Sequence, residues 1–126
     1  MSGTTWAAID LHHHVVPREY AKALSKLGVT EGLGVQLPKW EASKALDVMD
    51  AHGIARSVVS ISAPGVYFPA KDPTSAVAKQ LSRAMNEACA ALVRDHPGRF
   101  GVFATLPVPD VDAALEELRY AFDELH

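Results

Sequence analysis

Three consecutive histidines, His12-His13-His14, stand between Ile9-Asp10-Leu11 and Val15-Val16-Pro17. Side chains alternate between the two faces of an extended strand. His12 and His14 therefore share a face with Asp10, while Leu11 and His13 point the other way. Two imidazoles two residues apart at a strand end can converge on one metal ion, and neutral imidazole suits zinc and other borderline first-row metals. His12 and His14 are accordingly the candidate metal ligands. The competing reading is a chance polar cluster where a strand meets a loop. An affinity tag is disfavoured, because the run is short and sits inside an apolar strand pattern.

The elements that would position these groups follow from hydrophobic periodicity and breakers. A first strand is expected over residues 6–12, with a short helix from Pro17 to Leu27 that Gly28 terminates. Residues 28–40 are glycine-rich, end in Leu37-Pro38-Lys39-Trp40 and read as a loop. A helix from Glu41 to His52 carries Ala42, Ala45, Leu46 and Met49 as its stripe and closes at Gly53. His52 reads as a helix-end residue and not as a ligand.

Arg56 to Ser62 is the second strand, closed by Pro64-Gly65. Tyr67 and Phe68 follow in a loop, as a pocket wall for an apolar or aromatic substrate or as aromatics packed on the body. Asp72 as N-cap and Pro73 at the first helical position open the longest helix. Its stripe is Val77, Leu81, Met85, Ala88 and Leu92, with Asn86 and Glu87 expected in solvent and Cys89 as core filler. The third strand spans Phe100 to Leu106. Asp110 caps a last helix whose stripe is Val111, Leu115, Leu118, Phe122 and Leu125. Strands separated by helices imply a parallel sheet with right-handed crossovers. Neither a sequence repeat nor a low-complexity linker divides residues 1–126, which read as one unit.

Composition narrows the function classes. Across 126 residues, 48% are hydrophobic, and 12 Lys and Arg against 15 Asp and Glu leave a net charge of -3. That is globular composition without a basic block, so a nucleic-acid partner is not expected. The first residues lack the pattern of a secretory leader, and no apolar run approaches bilayer length. Cys89 is the only cysteine, which excludes an intramolecular disulfide and makes a reducing cytoplasm the expected compartment.

The string Asp10-x-His12-x-His14 after an apolar strand, followed by Pro17, resembles the first-strand signature of the amidohydrolase superfamily. The branch it resembles most contains aminocarboxymuconate-semialdehyde decarboxylase and related aromatic-acid decarboxylases. Met49-Asp50-Ala51-His52-Gly53-Ile54 resembles that family's step from helix to second strand. His96-Pro97-Gly98-Arg99-Phe100 and Leu106-Pro107 resemble its approach to and exit from the third. The fold implied is α/β, the N-terminal three βα units of a TIM (β/α)₈ barrel, since a complete barrel needs roughly 250 residues. A small doubly wound domain is the alternative, although such sheets usually carry about five strands.

The resemblance implies a metal-dependent decarboxylase of aromatic or enoic acids, with a hydrolase of an amide, ester or lactone as the alternative. A non-catalytic fragment acting by association is the third reading. It also implies a divalent metal, zinc first and manganese second, and a small carboxylic acid as substrate. His12 and His14 would be two of the ligands, the family completing its site with histidine and aspartate from later strands. Arg18 can pair with a substrate carboxylate through its planar fork, or stand as an exposed first-turn residue. Trp40, Tyr67 and Phe68 are the candidate apolar wall. The catalytic residues themselves are left open. Unpaired sheet edges predict self-association.

Overall fold

A computed structural model describes residues 7–126 of the chain. Trp6, expected to open the first strand, lies outside them. The elements are β1 (Ala8–Val15), α1 (Arg18–Lys26), β2 (Glu31–Gly32), β3 (Val35–Gln36), α2 (Ala42–Ala51), β4 (Ile54–Ile61), α3 (Ala76–Asp95), β5 (Phe100–Val102) and α4 (Val111–Asp123). β1, β4 and β5 form a parallel sheet in that order, with β4 in the centre.

Two apolar clusters hold the helices to the sheet and to each other. Val15, Met49, Val59, Cys89 and Phe100 join β1, β4 and β5 to α2 and α3. Val16, Tyr20, Leu24, Val66, Ala78, Leu81 and Met85 join α1 to α3. Each such large side chain, fully buried, contributes about 1.5–3 kcal/mol. Among the described residues no helix is long and apolar enough to cross a membrane.

Several local expectations are corrected. β1 runs on through all three histidines, because its ladder with β4 continues to the pair Val15–Ile61. The stretch read as an uninterrupted loop holds a small hairpin, β2–β3. Leu33 and Gly34 both take positive φ there (53° and 76°), the backbone that two-residue hairpin turns need. Gly32 is obligatory, since a Cβ on it would lie 2.3 Å from the Ala63 carbonyl oxygen.

The long helix begins at Ala76 and not at Pro73. The Asp72 carboxylate closes a local turn onto Thr74 and reaches the Val77 N–H at 2.7 Å, so it still satisfies the helix start from four residues further back.

β5 ends at Val102, short of Leu106. The Thr105 N–H and carbonyl bond instead to the side chain of Asn86, at 2.7 and 2.9 Å, leaving them unavailable to a ladder. Asn86 is thus buried and not solvated. α4 is rolled relative to its apolar stripe: Val111, Leu115 and Phe122 are exposed, the last at 72%, while Ala113, Ala114 and Glu117 are buried. Glu117 accepts from Asn86 and Arg83, both at 2.8 Å, and these bonds turn that face of α4 toward α3.

Candidate active site

Alternation along β1 places Val15 in the helix-side core and His14 on the opposite face. His12 Nε2 and His14 Nε2 lie 3.0 Å apart, with their rings edge to face at 86°. Two zinc ligands at tetrahedral angle and ordinary Zn–N length would have their nitrogens about 3.3 Å apart. The pair therefore stands within a few tenths of an ångström of a shared-metal arrangement. Its donor set, two imidazole nitrogens facing each other, fits a divalent cation. Asp10 serves the strand locally, its carboxylate accepting from the His12 backbone N–H at 2.9 Å. Among the described residues, no group of three or more His, Cys, Asp or Glu side chains is gathered for a metal, and the donors brought together there are the two imidazole nitrogens.

His13 faces the other way. Trp40 Nε1 donates to His13 Nε2 at 3.3 Å, and the ring packs edge-on near Trp40 and Phe100. Burial holds its pKa below the ordinary value against the opposing pull of Asp10, and His14 adds to the lowering. An Nε2 that accepts from an indole is unprotonated, in keeping with a neutral ring.

The other sequence candidates are distributed unevenly. Trp40 shares a cleft of about 390 Å³ with Asp10 and the three histidines, beside the edge of β1 away from β4. Arg18 is exposed and lines a separate depression between α1, α2 and the end of α3, which Trp40 also reaches. Tyr67 lines a third cleft, of about 370 Å³, at the exits of β4 and β5. Phe68 packs against the α1–α3 cluster. The histidines and Trp40 are thus brought together, whereas Arg18 and Phe68 stand apart from them.

Sequence reasoning passed over two residues, one that contacts His14 and one that lines the cleft beside it. Ser60 Oγ lies 3.2 Å from His14 Nδ1, and Ser60 also lines the third cleft, so it links the histidine pair to that space. Phe103, 55% exposed, lines the same cleft opposite Tyr67. Read inside a strand running to Leu106, Phe103 gave no signal in the sequence, since its exposure depends on β5 ending at Val102.

Both walls of that cleft are fixed from behind. Tyr20 Oη donates to the Gly65 carbonyl at 2.6 Å, and burial pushes its hydroxyl pKa up to about 12. Asn86 holds both backbone groups of Thr105.

A parallel sheet backed by helices, with paired imidazoles toward the C-terminal end of its first strand, has the layout of the N-terminal part of a (β/α)₈ barrel with its site-bearing strand ends. Residues 9–126 match the amidohydrolase family, and the chain belongs to it. The 6-methylsalicylic acid decarboxylase acuB of Aspergillus aculeatus is 37% identical over 119 residues, covering 94% of this chain and 35% of that protein. Other relatives include gamma-resorcylate decarboxylases, again enzymes of aromatic acids.

Among solved structures, an amidohydrolase II superposes with a TM-score of 0.83 at 29% identity, over 94% of this chain and 37% of that one. The dihydroxybenzoic acid decarboxylase of Polaromonas sp., solved with manganese and the inhibitor 2-nitroresorcinol, gives 0.62 at 26% identity, over 94% and 35%. The fold is the partial TIM barrel expected from the sequence. The chain spans about a third of the length of the curated relatives it matches.

Proposed function

We propose that this chain supplies the first-strand metal ligands and part of the substrate cleft of a divalent-metal-dependent decarboxylase of aromatic carboxylic acids. Residues 1–126 act as one incomplete barrel segment in this reading. The observation that carries it is the convergence of His12 Nε2 and His14 Nε2 on one point at the C-terminal end of β1. The 37% identity to a 6-methylsalicylic acid decarboxylase supports the choice of reaction class.

A bound zinc or manganese ion would supply Lewis-acid charge for holding the substrate's anionic oxygens. His12 and His14 would hold that ion, with further ligands drawn from outside the chain. Phe103 and Tyr67, on one side of the pair, present apolar surface to an aromatic ring. Clefts of this size, mostly apolar with a few placed polar groups, are the usual form of small-molecule sites. The backbone clamps at Gly65 and Thr105 keep those walls in place as the ring enters.

In a protein carrying this segment and the remaining strands of the barrel, the metal-loaded form is expected to release CO2 from 6-methylsalicylate or 2,6-dihydroxybenzoate. His12→Ala should lose both metal and activity. Full metal content with no CO2 from either acid, but hydrolysis of an amide, ester or lactone, would replace the decarboxylase reading with a hydrolase.

A further inference from the structure

We propose that Ser60 is the positioning residue for the ligand His14, its hydroxyl holding Nδ1 so that Nε2 faces His12. This rests on the metal reading above and adds to it a residue with no contact to the ion.

The placement follows from the register of β1 against β4. Ala8 pairs with Ile54, His13 with Val59 and His14 with Ser60, all in one register. Between them Ile9 and Asp10 pair with Arg56 and Ser57, one residue further along β4, so two opposite irregularities flank this step and cancel. The register that results puts a hydroxyl, and not Ile61, beside the His14 ring.

Neighbours in a parallel ladder share a face, and the resulting Oγ–Nδ1 distance is 3.2 Å. A serine hydroxyl can accept from the imidazole N–H. With the proton kept on Nδ1, Nε2 keeps its lone pair for a ligand role, the usual arrangement of a metal-binding histidine fixed by its second nitrogen. His12 has His14 as its side-chain partner, so the pair is oriented from the His14 side. Ser60 also borders the cleft holding Phe103 and Tyr67.

The test uses the 126-residue chain, with Zn2+ and Mn2+ as probes in calorimetric titrations, and ¹⁵N spectra of the histidine rings without metal. Ser60→Ala is expected to weaken metal binding about 10–100-fold, the usual cost of losing such a partner. Ser60→Thr, which keeps the hydroxyl and suits a strand, should restore affinity to within about threefold of wild type on the same scale. In the metal-free protein, Ser60→Ala should shift the His14 Nδ1 resonance, and Ser60→Thr should leave it in place.

Wild-type affinity together with an unmoved Nδ1 resonance in Ser60→Ala would overturn the assignment. If wild type takes up no metal at His12 and His14, the metal reading itself fails. The metal-free spectra then decide whether Ser60 orients the ring.

Discussion

Asn86→Ala isolates the cost of the clamp behind the cleft. Asn86 and Glu117 are each only 4% exposed. The Asn86 amide donates to the Thr105 carbonyl and to Glu117 Oε1, and its oxygen accepts from the Thr105 N–H. Truncation removes all three bonds. Neutral bonds contribute about 1 kcal/mol each and one to a carboxylate about 1.5–3. The sum is about 3.5–5 kcal/mol, and hydration of half-buried Thr105 would bring it toward the lower end.

Such a loss is a large share of the ~5–15 kcal/mol by which domains are stable. For a chain of this size it lowers Tm by about 13–19 °C. Glu87→Ala is the control, since Glu87 is exposed and accepts one bond from Tyr120; it should cost at most about 1 kcal/mol. Urea unfolding followed by circular dichroism measures both. If Asn86→Ala fell within about 0.5 kcal/mol of wild type, an ordinary surface change, the network would contribute no net stability and the explanation for the early end of β5 would fail.

Three further outcomes are expected. The Tyr20 hydroxyl titrates in the unfolded chain near 10 and in the folded protein at about 12. The folded state thus holds its proton longer, and stability present below pH 10 should fall as pH rises through that window; Tyr20→Phe should remove this alkaline loss in pH-dependent unfolding, and cost about 1 kcal/mol at neutral pH. The Cys89 thiol is buried and its pKa is pushed up to about 11, so a disulfide reagent should react with it slowly until denaturant is added, and rapid reaction in the native protein would contradict the packing. Ile9, Leu11, Phe103, Val111, Leu115 and Phe122 are all exposed, and among the described residues the outer edges of β1 and β5 are unpaired in the sheet; the chain should therefore self-associate, and light scattering that found a monodisperse monomer across concentrations would refute it.

The face of the histidines was legible because alternation along a strand is a property of local backbone geometry. The same holds for Gly28 and Gly53, which take positive φ at the ends of α1 and α2, and for Asp110, whose carboxylate accepts from the Ala113 N–H. What escaped depends on partners distant in sequence. Asn86 looks like a surface polar residue until Thr105 and Glu117, 19 and 31 residues away, close on it. The stripe on α4 is a sound helical pattern, yet the bonds of Glu117 turn Ala113 and Ala114 inward instead. Ser60 becomes legible only through the register of β1 against β4, a relation between strands that neither segment encodes alone.

Histidine ¹⁵N spectra recorded during a Zn2+ titration of the chain test the central claim most directly. The Nε2 resonances of His12 and His14 should move together with a single binding isotherm, while His13, engaged by the Trp40 indole, keeps its metal-free shift. Movement of His13, or of His52 or His96 in place of the pair, would contradict a metal centre at the end of β1.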